Sequence, residues 1–261
     1  MDISTLKLPG LRQSSEFNHV IGIQGEPNSG KTTAAIGWPS PIVMNFDKKL
    51  RSGVPEIPFW DNGWIHSRNN TKPPLYADRK SAILKWLRCE EVIKLPPTCT
   101  LIVDSFTMID NAWTEFVANN KHAFYTKGDN PEYNGRAMFY AKQDYMVELF
   151  ALFKSVPCPV IVLFHETAAR DNKGNLNNKF RPLVSGGSFK DQLEGNLGMM
   201  LRMESRKGRY YLQVKTNENF DAMLPDCYKI PADVKEIDVT DKSVYEELNK
   251  YKTNEIPRRP D

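Results

Sequence analysis

The chain has 261 residues, 40% hydrophobic and 26% charged, which fits one α/β domain with some decoration. No apolar stretch reaches the roughly 20 residues that span a bilayer, and the start MDISTLKLPG has no secretory hydrophobic segment. A cytoplasmic protein without membrane association is therefore expected, and the net charge of +3 does not by itself define a class of partner.

HVIGIQ (19–24) is a short apolar run that meets a Gly-rich turn and reads as a buried strand. Lys31–Gly37 has room for a short helix, stopped by Pro39 and Pro41, and PIVMNFD (41–47) reads as a second strand. Residues 51–76, rich in Pro, Gly, Asn and Trp, show no sustained period and are expected to be irregular. Asp78–Leu95 presents a helical apolar face through Ile83, Leu84, Leu87, Val92 and Leu95, closed by Pro96 and Pro97. CTLIVDS (99–105) is a continuous apolar run ending in an acid, the pattern of a central parallel strand. Helices are expected over Met108–Asn119 and Ala137–Ser155, separated by a polar loop at 121–135.

PVIVLFHE (159–166) is a further buried strand, followed by an expected polar loop over 167–187. Gly198–Glu204 and Arg209–Lys215 read as a hairpin around Ser205–Gly208. The domain is expected to span 1–225, with an acidic extension over 226–261. Strands alternating with helices predict a mainly parallel sheet with a late antiparallel pair. The four cysteines (Cys89, Cys99, Cys158, Cys227) are widely spaced and read as reduced thiols, with no support for a zinc site.

The segment Gly25-Glu26-Pro27-Asn28-Ser29-Gly30-Lys31-Thr32-Thr33 has the Walker A spacing. Glycines let successive backbone N–H groups turn inward on phosphates, Lys31 reaches the β/γ-phosphates, and the Thr32 hydroxyl ligates magnesium. The strand before it and the helix after it make this a specific signal for ATP. Leu101-Ile102-Val103-Asp104 is a Walker B candidate that would bring a carboxylate to the magnesium. Many buried strands end in Asp, so it gains weight only from its pairing with Walker A.

Ser105 follows Asp104 where a water-activating Glu often stands, so the base must come from elsewhere. Asp47 is the candidate, with a turn or cap Asp as the plain alternative. His165 can sense the γ-phosphate, or be an ordinary core histidine. Gly25, Asp47, Asp104 and His165 all fall at or just past strand ends, where ligands bind in such sheets.

These motifs together (GEPNSGKTT, NFDKK, LIVDS and VIVLFHE) resemble the RecA-like P-loop ATPase core over about residues 18–217. Their order and spacing look closest to compact phage and prophage ATPases associated with single-strand annealing and recombination. The resemblance implies a RecA-like P-loop NTPase fold, a mainly parallel sheet flanked by helices. It implies Mg2+-dependent ATP hydrolysis, with Asp47 in place of the usual catalytic Glu. It further implies a homo-oligomer, ring or filament, and puts the 167–187 segment where a DNA-binding loop sits. Lys215, in VKTN, would fall where recombinases place a cation that reaches a neighbour's ATP.

From Glu166 to Lys215 there are ten Lys/Arg against five Asp/Glu, and from Thr216 to Asp261 seven against eleven. That suits a polyanion-binding segment limited by its own tail, or ordinary solvated faces. Lys173, Lys179, Arg181 and Lys190 are the candidate phosphate contacts for single-stranded DNA. Phe180, with Phe189, Phe124 and Tyr125, is a candidate base platform or a loop anchor. A single-strand-binding protein is a further candidate partner.

Leu183–Gly187 has the look of the ABC-transporter signature but follows Walker B instead of preceding it. No Asn-Lys-x-Asp element favours a GTPase. Arg170, Arg181, Arg202 and Arg209 could imitate a kinase lid. The main alternative is a P-loop motor or switch that acts on protein or a viral assembly without intrinsic DNA binding.

Overall fold

In the computed structural model, residues 20–47, 53–59, 83–119, 135–170, 176–184, 193 and 195–253 are described. Strand β1 (Val20–Gly25) is buried along its whole length. It can be so because parallel strands flank it on both sides: β5 (Val160–Arg170), which sets Gly25 beside His165, and β7 (Met199–Arg206), which sets Gly25 beside Met203. Strand β4 (Thr100–Asp104) is equally buried and pairs with β5 on one side and β2 (Pro41–Asn45) on the other. The order is β3-β2-β4-β5-β1-β7-β8-β9, where β3 is Glu56–Pro58, β8 (Arg209–Gln213) and β9 (Glu236–Asp238) run antiparallel, and β6 (Leu176–Pro182) pairs with β5 off this path. A strand therefore stands between the two motif-bearing strands, and the carboxyl ends of β1, β2, β4 and β5 share one edge.

Alternate residues of each strand serve opposite faces, as the two-residue repeat requires. Val160, Val162 and Phe164 enter one core cluster and Ile161 and Leu163 the other. The first is built with helices α3 (Phe106–Asn119) and α4 (Gly135–Ser155), where Phe106 lies 5.4 Å from Phe150 and 5.3 Å from Phe164 between ring centroids. Lys142 of α4 and Asp110 of α3 form a buried ion pair between the two helices. The second core packs under α1 (Lys31–Ile36).

Three expectations change. The 167–187 stretch is not a loop over its described part: β5 continues through Arg170, and β6 (Leu176–Pro182) returns antiparallel, with Thr167 opposite Arg181 and Ala168 opposite Phe180. Its polar residues hid the strand because β6 is paired on one side alone and needs no continuous apolar run. Within 51–76, Glu56–Pro58 forms β3, parallel to β2. Three residues are too few to show a period, and an outermost strand tolerates the missing N–H of Pro58. The helix expected over 78–95 is interrupted: 83–87 are helical, and α2 (Glu90–Ile93) restarts after an extended Cys89.

The residues after 225 are also more than a tail. β9 extends the sheet, and Val239, Val244 and Leu248 sit in the second core. Helix α5 (Val244–Asn249) starts at Ser243, whose hydroxyl donates to Gly37 O at 3.1 Å, and the Tyr245 ring lies 5.1 Å from Trp38. Cys158 is buried in the first core, and burial pushes its thiol up to about 11. Among the described residues, no helix is long and apolar enough to cross a membrane.

Candidate functional site

Gly25 ends β1, and a Cβ there would lie 2.4 Å from Met203 O and 2.5 Å from Ser29 Oγ, so no larger residue fits. The loop then turns through Asn28 (φ 65°) and Gly30 (φ 88°), left-handed conformations that favour Asn and Gly. Ser29 N–H donates to Glu26 O at 3.2 Å and closes the turn. Glu26, Pro27, Asn28 and Thr33 are exposed around it, while Ser29 is buried.

Lys31 is 7% exposed, and its ammonium reaches back inside the loop to donate to Gly25 O (2.8 Å) and Glu26 O (2.6 Å). A buried ammonium within a phosphate-loop sequence suits a polyanion of phosphate size. The Thr32 hydroxyl donates to Asp104 Oδ2 at 2.8 Å, so a hydroxyl and a carboxylate oxygen from distant parts of the chain share one point beside the cradle. Two hard oxygen donors next to a phosphate site fit magnesium, which takes one or two protein oxygens and completes its shell with phosphate and water.

Asp47 and His165 also meet here, with Asp47 Oδ2 3.9 Å from His165 Nε2. The Asp47 N–H donates to Asn45 Oδ1 (3.1 Å), and the His165 N–H donates to Thr107 Oγ1 (3.0 Å), so the backbone at both residues is tied down. Gly25, Asp47, Asp104 and His165 lie on one sheet edge, as the sequence pattern predicts.

Behind this edge lies a network that the sequence reading did not isolate. Arg202 of β7 grips Glu166 with two hydrogen bonds of 2.8 Å and reaches Glu204 at 3.0 Å, and its guanidinium lies 4.4 Å from the centroid of the Phe180 ring. Gln24, the residue before Gly25, donates to Phe180 O at 3.1 Å, and Gln213 donates to Glu204. Burial alone would lower the Arg202 guanidinium, but the hydrogen bonds and charge of Glu166, then of Glu204, raise it overall. The available signal was an arginine in the middle of the apolar strand MMLRME, directly across from Gln24 in the sheet register.

The candidate polyanion contacts are dispersed. Lys179 pairs with Asp221 at 2.9 Å, and Phe180 is partly buried beneath Arg202, whereas Arg181 is exposed. Lys173 and Lys190 lie outside the described residues, as do Phe124, Tyr125 and Phe189. Arg206 pairs with Glu204 and Glu236, and Arg209 with Asp238 at 2.5 Å. Much of the basic 166–215 stretch is thus matched by carboxylates, several of them from the acidic segment that follows. Lys215 donates to Pro231 O. Because Leu212 pairs with Met203 and the strand runs antiparallel, Lys215 lies toward the amino ends of the parallel strands, while Arg209 lies at the site's edge.

A family model described as an AAA domain matches residues 18–223, which takes in the phosphate loop, Asp47, Asp104, His165 and the β7–β8 pair. No curated protein matches the chain.

Proposed function

The chain belongs to the AAA-domain family of P-loop ATPases, and on that premise we propose that it hydrolyses ATP with magnesium at the Gly25–Thr33 loop and couples turnover to single-stranded DNA. The observation that carries the catalytic part is the 2.8 Å contact of Thr32 with Asp104 beside the buried Lys31 ammonium. Lys31 would hold the β/γ-phosphates, and Thr32 Oγ1 and Asp104 Oδ2 are the oxygens that would hold magnesium. The ion, when bound, neutralises charge on the phosphate oxygens. Asp47 accepts a proton from the attacking water at a carboxylate oxygen, and His165 orients that carboxylate.

The DNA part rests on continuity of one strand. β5 runs without a break from His165 into the β5–β6 pair that carries exposed Arg181, so a polyanion there would act on the strand that bears the site's histidine. Arginines 202, 206 and 209 are each ion-paired within the chain, which supports a cation supplied by a neighbouring copy of a homo-oligomer. Lys215 is the candidate. Turnover per subunit should then rise with protein concentration, and mixing Lys215→Ala with Lys31→Ala protein should restore activity.

The deciding experiment is ATP turnover with and without magnesium and single-stranded DNA. Magnesium-dependent hydrolysis stimulated by DNA supports the full reading. Hydrolysis indifferent to DNA favours a motor or switch acting on protein, a second reading supported by the internal pairing of Lys179, Arg206 and Arg209. Unchanged turnover in folded Lys31→Ala would remove the ATPase assignment itself.

A further inference from the structure

Strand β4 ends at Asp104, and the chain turns at once into α3 at Phe106. The β4–β5 ladder therefore stops with Val103 opposite Val162, while β5 runs on beside β1 as far as His165. Past Val162, β4 offers no further ladder partner, and a backbone N–H left there without an acceptor is costly. At His165 the acceptor is a side chain: its N–H donates to the hydroxyl oxygen of Thr107 at 3.0 Å, and Thr107 is buried. Thr107 lies in the first turn of α3, where Met108 N–H donates to Ser105 O at 3.1 Å. The hydroxyl thus stands in for a strand carbonyl, a few residues from Asp104.

The same short segment holds the other partner. Phe46, the residue before Asp47, donates its N–H to Asp104 O at 2.6 Å. Residues Asp104–Thr107 therefore bracket both pieces of chain that meet at the Asp47–His165 contact. On the far side of His165, its carbonyl accepts from Leu183 N–H at 2.7 Å. Of these three bonds, only the one to Thr107 depends on a side chain.

We infer that Thr107 is a positioning residue for hydrolysis, whose hydroxyl sets the His165 backbone so that the imidazole meets Asp47. This rests on the ATPase reading above, in which His165 orients the Asp47 carboxylate, and it adds a residue that acts only through His165.

The test is a double-mutant cycle on the full chain, read as magnesium-dependent ATP turnover, with single-turnover kinetics for the slow variants. Thr107→Val keeps the shape and removes the acceptor. It should lower the turnover number by about tenfold or more, as small displacements of a working group do. The KM for ATP should stay within about threefold of wild type. Thr107→Ser restores the hydroxyl and should recover most of the rate. In a His165→Ala background, Thr107→Val should change turnover by less than about twofold, because no imidazole remains to be positioned. An equal fold-loss in both backgrounds would show that Thr107 serves the fold or Asp104 instead, and a loss in KM alone would place it in binding. Either result, or an unchanged rate in Thr107→Val, overturns the inference while the ATPase reading stands. If the valine variant does not fold, Thr107→Cys, a weaker acceptor of similar shape, goes through the same cycle under the same criteria. His165→Ala protein that turns over like wild type overturns the inference together with the role given to His165. Wild-type protein without magnesium-dependent turnover overturns the ATPase reading as well.

Discussion

Asp47 and His165 approach to 3.9 Å although the strands that deliver them are not neighbours, because β4 lies between β2 and β5. Asp47 lies past the end of β2, and His165 lies within β5 at the level where its pairing with β1 ends, beyond the last residue of β5 paired with β4. Their side chains are 16% and 19% exposed, enough for water to enter and little enough to strengthen charge effects.

If Asp47 takes the proton from water, Asp47→Asn should lower the turnover number by about two to four orders of magnitude. The KM for ATP should stay within a few-fold of wild type if, as proposed, the loop and Lys31 carry binding. Single-turnover kinetics beside equilibrium binding separates the two. A parallel loss of affinity and rate would make Asp47 a binding group.

Asp104→Asn keeps the shape and removes the charge beside Thr32. The magnesium concentration for half-maximal turnover should rise by about tenfold or more, because magnesium is bound mainly through one or two carboxylates and phosphate oxygens. Thr32→Val should shift the same midpoint in the same direction. An unmoved midpoint in both variants would mean that the ion is held elsewhere.

Arg202 tests whether the network behind the site is structural. Its side chain is 5% exposed and that of Glu166 1%, so Arg202→Met strands a buried carboxylate and should cost about 3–5 kcal/mol in urea denaturation. Adding Glu166→Leu should recover a large part of that loss, since an apolar pair of similar bulk can replace a buried ion pair. Equal stability of the single variant and wild type would show that water reaches Glu166 readily.

For DNA, Arg181→Ala should weaken binding at every sequence and reduce the salt slope by about 0.7, the contribution of one contact on a single strand. Lys179→Ala should do less, because Asp221 already holds that ammonium. Asp221→Asn should therefore strengthen binding. Filter binding across a salt series reads all three, and identical slopes throughout would take the β5–β6 pair out of the interface.

Local chemistry was enough to read the phosphate loop, because its glycines, lysine and threonine act within nine consecutive residues between a strand and a helix. The buried strands β1, β2, β4 and β5 were equally legible, since a strand covered on both faces is an unbroken apolar run. Asp104 and His165 could be flagged because each ends such a run. The β5–β6 pair, β3 and β9 were not legible, because edge and one-sided strands tolerate polar residues and three-residue strands have no period to detect.

The pairings across the sheet were decided by tertiary structure alone. Nothing local joins Glu166 to Arg202, Tyr210 to Gly30 or Asp238 to Arg209; the strand order and register make them neighbours. The same order turned an apparent basic segment and acidic tail into internal ion pairs, because β9 returns its carboxylates to β7 and β8. Sequence reports what each residue can do over a few turns of chain, while contacts between residues far apart depend on which strands lie side by side, and that is set by packing of the whole core.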